Sequence, residues 1–233
     1  DSSAFKNCRT LTGIEIPNSV TSIGSNALQN CDSLTSIKIP EGLTSIGAYA
    51  FFDCVSLTSI EIPSSVTSIG FYAFKGCNKL DFKEYDNGYY LGNKDNPYIA
   101  FIKVKTTDIE SCLINNDCMV IGSYAFSDCS SLTSIKIPEG VTSIGDGAFS
   151  GCDRLRSIEI PSSVTIIGYR VFSDYNSRDV YYTGTSEQWS NITIDLGNQW
   201  LIISDIYYYS ETCPTEEGNY WYYDGNDKIV IWP

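Results

Sequence analysis

The chain has 233 residues, 42% hydrophobic and 18% charged, enough to bury a sizeable core in one or two domains. Its 28 carboxylates against 15 Lys and Arg leave a net charge of −13, which argues against nucleic acid and anionic membrane surfaces as partners, since both attract Lys/Arg-rich faces. Without a single histidine the usual general base, the common nucleophile pairs and most zinc designs are missing, and no apolar run approaches the roughly 18 residues of a membrane-spanning helix.

From its first residues the chain counts in twenty-threes. Cysteines fall at Cys8, Cys31, Cys54 and Cys77, then at Cys129 and Cys152. Prolines keep the same beat at Pro17, Pro40 and Pro63, then Pro138 and Pro161, and so do Ile23, Ile46, Ile69, Ile121, Ile144 and Ile167. A fixed period of this length marks a leucine-rich-repeat-like solenoid. Within the unit LTSIKIPEGVTSIGDGAFSGCDR, starting at Leu132, the LxxIxI stretch predicts a short strand closed by a Pro-Glu-Gly turn. The VTSIG stretch predicts a second extended segment, and AFSGC a helical or 3₁₀ turn. No coil can bury its Leu, Ile, Val, Phe and Cys alone, so neighbours must stack.

The period breaks once. Cys77 to Cys129 spans 52 residues, two periods plus six. Counting back from Cys129 places Ile109, Cys112, Ile114, Cys118 and Ile121 in regular core slots. The irregular coil is therefore KEYDNGYYLGNKDNPYIAFIKVK, read as a β-hairpin around Asn93 to Pro97 that extends beyond the normal coil. After Ile167 the pattern decays: Val171 takes the Ala slot, Tyr175 the Cys slot, and Gly184 replaces proline. A strand (DVYYTG), a helical turn opened by Thr185 or Ser186 with Glu187, an apolar strand (WLIISDIYYY) and a hairpin turning at Asp224-Gly225 follow. Trp200, Tyr207, Trp221 and Trp232 are expected to lid the last coil. The amino end opens mid-unit, with Ala4, Phe5 and Cys8 already in AFxxC slots, as expected of a piece of a longer chain.

The expected fold is an α/β-class, β-dominated, right-handed solenoid of 23-residue coils with parallel strands, a mid-chain β-hairpin insertion and a carboxyl-terminal cap. Coils occupy residues 1–80 and 106–175, the irregular coil or hairpin 81–105, and the capping segment with its terminal hairpin 176–233.

The string IPxxVTSIGxxAFxxCxxLTSIxIP resembles the BspA-like class of leucine-rich repeats of bacterial surface proteins, over roughly residues 4 to 175. Leu28, where Phe is the rule, and the six-residue expansion depart from that pattern. The resemblance implies an extracellular or surface-attached module for adhesion or recognition, with protein partners that include host matrix proteins. It carries no catalytic residues, and no cofactor or metal is expected.

Several residues remain as candidates. The column between the two strand isoleucines reads Glu15, Lys38, Glu61, then Lys136 and Glu159. It should point outward with neighbours ~5 Å apart and alternate in sign, either setting register or offering a polar platform. Glu15 and Glu61, two rungs apart, are the only carboxylate pair with glycosidase-like spacing, but Lys38 lies between them on an open sheet and no cleft is indicated. Tyr89, Tyr90 and Tyr98 in the hairpin read either as edge cover or as a contact surface able to stack on sugars. A carbohydrate-binding module using hairpin or tail aromatics is the alternative function, and a passive spacer a third. The columnar cysteines, with Cys112 and Cys118, read as small buried hydrophobes, because zinc sites want Cys pairs two to four residues apart. Cys213 is the expected exposed thiol. The Thr-Ser pairs (Thr21-Ser22, Thr44-Ser45, Thr67-Ser68, Thr142-Ser143) read as polar turn filler.

Overall fold

The computed structural model describes residues 1–172, 179–199, 201 and 204–232; Tyr175 and Trp200 lie outside the described residues. Each regular coil contributes two short strands. The first array holds β1 (Ser22–Ile23), β2 (Ser36–Ile37), β3 (Ser45–Ile46), β4 (Ser59–Ile60) and β5 (Ser68–Ile69). β1, β3 and β5 form one parallel ladder and β2 and β4 another, with serine over serine and isoleucine over isoleucine. Serine faces out and isoleucine in, because a period of two carries only one of the pair to the core. Buried prolines such as Pro40 and Pro63, which lack an N–H, follow one of the two strands of their coils.

The Thr-Ser pairs are not turn filler. Their serines lie in strands, and the hydroxyls of Thr44, Thr67, Thr142 and Thr165 donate to a carbonyl one coil back at 3.0–3.3 Å. A β-branched residue with a spare donor fits an open parallel ladder better than a turn.

The AFxxC stretch closes each coil with overlapping i→i+3 turns, such as Ala50 to Gly47 and Cys54 to Phe51. Left-handed residues interrupt them, Asn26 (φ 59°) and Asn30 (φ 58°) among them, so no helix propagates. Alternate amides of this run donate to the next coil: Tyr49 to the Phe71 carbonyl, Phe51 to Ala73 and Asp53 to Lys75, each 2.8 Å. This turn ladder forms a third side of the solenoid.

The mid-chain segment departs from expectation. It is a three-stranded antiparallel meander, β6 (Lys83–Tyr85), β7 (Gly88–Leu91) and β8 (Ala100–Val104), and it does not project. β8 pairs in parallel with β9 (Val120–Ile121), so the meander is built into the sheet of the second array. Its Tyr90, Leu91, Ile99, Ala100 and Phe101 are buried, because a coil interposed between two apolar faces has to cover both.

The second array continues through β10 (Ser134–Lys136), β11 (Ser143–Ile144), β12 (Ser157–Ile160) and β13 (Ile166–Ile167). β14 (Asp179–Tyr182), α1 (Ser186–Ser190), β15 (Thr193–Ile194), β16 (Ile206–Tyr209), β17 (Tyr220–Tyr223) and β18 (Ile229–Ile231) follow. The single-turn helix α1 is capped by Thr185, and Gln188 rather than Glu187 closes the capping box. β17 and β18 form the expected antiparallel hairpin. Trp221 is fully buried and donates its indole N–H to the Tyr182 carbonyl at 3.1 Å, Trp232 stacks on Tyr222 and Tyr207 on Tyr181.

The interior is two clusters. One runs from Ile23 to Leu80 and takes in Leu91, Ile99, Ala100 and Val120; the other starts at Tyr90 and Phe101 and continues to Leu201. The phenylalanine file splits at the same place. Phe51 stacks on Phe74 at 5.3 Å, and Phe101, Phe126, Phe149 and Phe172 stack at 4.5, 5.1 and 5.3 Å. Leu28 fills its phenylalanine slot and is buried.

All nine cysteines are free thiols. Cys31, Cys54, Cys77 and Cys152 each donate to a carbonyl of the preceding coil at 3.0–3.2 Å. Burial pushes the Cys31 thiol up to about 11 and those of Cys112 and Cys118 up to about 12. Cys8, expected to face inward, is exposed, since its coil is stacked on one side only; Cys213 is exposed too. Titration with a thiol reagent at neutral pH should therefore give two fast equivalents, Cys8 and Cys213, with the other seven reacting only on unfolding. More than two fast thiols would contradict the closed core.

Candidate functional site

The feature with most chemistry on the outside of the molecule lies where the two arrays meet. β5 ends the first parallel ladder. The carbonyls of Ile69 and of Thr67, just before the strand, are met not by the meander but by residues of the second array: Ser143 Oγ donates to the Thr67 carbonyl, and Ser123 donates through both N–H and Oγ to Ile69 at 3.1 Å. Ser143 is accordingly buried while its repeat equivalents Ser22 and Ser68 are exposed.

The turn ladder has no such repair. By the repeat, the amides of Tyr72, Phe74 and Gly76 should donate to the next coil as those of Tyr49, Phe51 and Asp53 do. The meander offers no acceptor there, and among the described residues the three N–H groups have no partner. Beyond a single bond from Val104 to the Ala125 carbonyl at 3.0 Å, the ladder resumes with Tyr124, Phe126 and Asp128, which donate to Asp146, Ala148 and Ser150 at 2.8–2.9 Å. Between the two ladders lies a cleft of about 250 Å³, walled by Ile69, Ala73, Phe74, Phe82 and Ile102.

Aromatic rings crowd its rim. Phe71 stacks on Tyr72 at 3.5 Å, Tyr124 reaches across to Phe71 at 4.4 Å, and Tyr49 packs edge-on against both Phe71 and Tyr72. Tyr72 is 40% exposed. Lys75 sits 4.0 Å over the Tyr72 ring, and on the opposite wall Lys103 lies near Phe82 and Tyr89 at 5.6 and 5.4 Å. Both lysines are exposed, and neither forms an ion pair among the described residues.

Three of these tyrosines hold a costly backbone. Tyr49, Tyr72 and Tyr124 have φ of 58°, 54° and 59°. The same repeat position is Ser3, Asn26, Gly147 and Arg170 in other coils, all left-handed, of which Asn26 and Gly147 take this conformation readily. A second left-handed column, Asn7, Asn30, Asp53, Gly76, Asp128 and Gly151, contains only Asn, Asp and Gly. A bulky side chain in the left-handed region costs about 1–2 kcal/mol, so three tyrosines side by side are not what folding alone selects.

The residues singled out from the sequence are placed elsewhere. Glu15, Lys38 and Glu61 are exposed in one column, with Glu15 bridged in parallel to Lys38, but they form no ion pair among the described residues. The alternating ladder becomes an ion pair only at Lys136 and Glu159, 2.9 Å apart. Glu159, expected to point into solvent, is buried, because the terminal hairpin folds over it. The Tyr223 hydroxyl donates to Glu159 and accepts from Lys136, whose ammonium lies 4.4 Å from the Tyr223 ring. Burial and the hydrogen bond to Glu159 push the Tyr223 hydroxyl up to about 12. This trio clamps the cap to the second array.

The tyrosine trio of the irregular coil is packed as well. Tyr90 is fully buried, edge-on to Phe101 at 4.9 Å and Tyr98 at 5.5 Å, and its hydroxyl accepts from the Asn115 amide at 3.0 Å. Tyr98 and Tyr89 are half-buried, and only Tyr89, beside Lys103, approaches the seam. Tyr49, Phe71, Tyr72 and Tyr124 escaped the sequence reading, although they stand out in the two variable positions of SIGxxAF: Ala48-Tyr49, Phe71-Tyr72, Ser123-Tyr124.

The model of the BspA type leucine rich repeat region matches six copies, over residues 1–90 and 99–193. The chain belongs to this family. The matched ranges leave out residues 194–233 and, between them, 91–98, which are the end of β7 and most of the loop that joins it to β8. Among solved structures, the chain is similar to a leucine rich cell surface protein from Faecalibacterium prausnitzii (29% identity, 84% of this chain and 66% of that one, TM-score 0.38). It is similar also to the T. pallidum leucine rich repeat protein (30% identity, 72% and 64%, TM-score 0.39) and to a Bacteroides ovatus leucine-rich repeat protein (24% identity, 89% and 58%, TM-score 0.36). The chain thus spans less than two thirds of the length of each. No curated protein matches it.

Proposed function

We propose that this BspA-type chain is a non-catalytic recognition module of a bacterial cell-surface protein, and that it binds other proteins. The observation that carries this reading is the aromatic group Tyr49, Phe71, Tyr72 and Tyr124, of which Tyr72 is exposed and the others half-buried, with its three tyrosines held at a backbone cost by the repeat position they occupy. Partly exposed Tyr is enriched at protein interfaces, because it buries a large rigid ring at little conformational cost. Surface location is part of the same proposal, and the family match supports it. Host matrix proteins are the partner class to try first. The carbohydrate alternative, through hairpin or tail aromatics, loses Tyr90, which is fully buried, while Tyr89 and Tyr98 are half-buried.

The test is biolayer interferometry against a panel of purified matrix proteins. Binding at micromolar or better affinity is expected, weakened at least tenfold by Tyr72→Ala with Tyr124→Ala. Alanine keeps the Cβ that makes this backbone costly, so the control is Tyr72→Asn with Tyr124→Asn, whose side chains take the left-handed conformation more readily and which should lose binding to the same extent while melting close to the parent. Uniformly silent sensors at high micromolar concentration would reject the reading and favour a passive spacer.

A further inference from the structure

We infer that the seam between the two arrays is a docking site for an extended, acidic segment of a partner protein, which adds itself as the missing rung of the turn ladder. This deepens the protein-binding reading above and rests on it.

Three observations converge. The amides of Tyr72, Phe74 and Gly76 alternate along the chain in the spacing with which Tyr49, Phe51 and Asp53 donate to their neighbouring coil, yet have no acceptor among the described residues. A row of alternate donors is what an added strand requires, because an extended chain presents its carbonyls at the same period. The cleft beside the row is walled by apolar side chains and, at about 250 Å³, takes an apolar side chain of that segment better than a hydroxyl-rich sugar.

Charge decides the rest. Between residues 70 and 107 the chain carries six lysines and four carboxylates, in a protein with 13 net negative charges. Lys83 and Lys105 are taken up by Asp81 and Glu84 at 2.6 and 2.8 Å, and Lys94 by Asp95 at 2.7 Å. Lys75 and Lys103, one on each wall of the cleft, have no carboxylate partner among the described residues. They leave a positive mouth on an otherwise acidic molecule, which attracts acidic side chains and repels a second copy of this chain. The occupant is therefore extended, with an apolar side chain at its centre and carboxylates to either side.

The probe is a fluorescein-labelled peptide of alternating glutamate and valine, followed by fluorescence anisotropy and by amide hydrogen exchange on the whole chain. Binding is expected with slowed exchange at Tyr72, Phe74 and Gly76, and the lysine-valine counterpart should not bind. Lys75→Glu combined with Lys103→Glu changes two exposed side chains, should leave the thermal melt in place, and should weaken the peptide at least tenfold. The seam site is overturned if the peptide fails to bind up to about 1 mM, if the three amides exchange as before, or if the double variant binds equally well. Slowing of those amides by oligogalacturonate and not by peptide overturns it in favour of an acidic glycan. Self-association in sedimentation, abolished by the double variant, overturns it in favour of a second copy. Peptide binding that protects other amides sinks the seam while leaving the protein-binding reading intact; a silent matrix panel with peptide bound at the seam does the reverse.

Discussion

Phe126→Ala should destabilise the protein by about 3–5 kcal/mol, the usual cost of deleting a buried ring whose cavity cannot collapse. Phe126 is fully buried between Phe101 and Phe149, with ring planes 18° and 17° off parallel. Its N–H donates to the Ala148 carbonyl of the following coil at 2.8 Å, and the neighbouring Ala125 carbonyl accepts from Val104 at 3.0 Å, so the flanking segments cannot close the gap without breaking hydrogen bonds. Because each coil touches only its neighbours, the loss should concentrate in the second cluster. Urea denaturation gives the magnitude and amide exchange its location. A loss below about 1 kcal/mol, or one spread evenly over both clusters, would mean that the stacked file is not what holds the coils together.

Gly145→Ala should cost about 3 kcal/mol, although it adds a single methyl group. A Cβ at Gly145 would stand 2.5 Å from the Ser123 nitrogen and 2.8 Å from the Gly122 carbonyl carbon. Those atoms are backbone and cannot rotate away. Gly47 and Gly70 meet the preceding coil at 2.6 and 2.5 Å, so the glycine column marks where successive coils touch chain to chain. Gly13, with nothing within 4 Å, is the control: Gly13→Ala should stay within about 0.5 kcal/mol. Equal melting of the two variants would defeat the close-approach account.

The seam shows why the period revealed the coils but not the site. A missing acceptor is a property of two coils, and the amides of Tyr72, Phe74 and Gly76 look like their counterparts in every other repeat until the meander is seen not to meet them. The composition of the meander did announce antiparallel strands. Whether they would leave the solenoid or enter it depended on the two apolar faces on either side, which no window of the chain contains. Glu159 failed as an outward-facing candidate for the same reason: its strand alternation is regular, and Tyr223, 64 residues later, covers it.

The sequence by itself determined the coil, its period, which side chains face inward, the cysteine and phenylalanine files, and the family. All of these follow from local alternation and from a repeat that makes each unit the only partner able to cover the next. Tertiary structure alone decided the division of the core, the burial of Tyr90 and Glu159, and the open donors beside Lys75 and Lys103. These depend on how a non-repeating segment satisfies or fails to satisfy the hydrogen bonds and apolar faces of its neighbours. That balance is struck between residues distant in the chain, where periodicity carries no information.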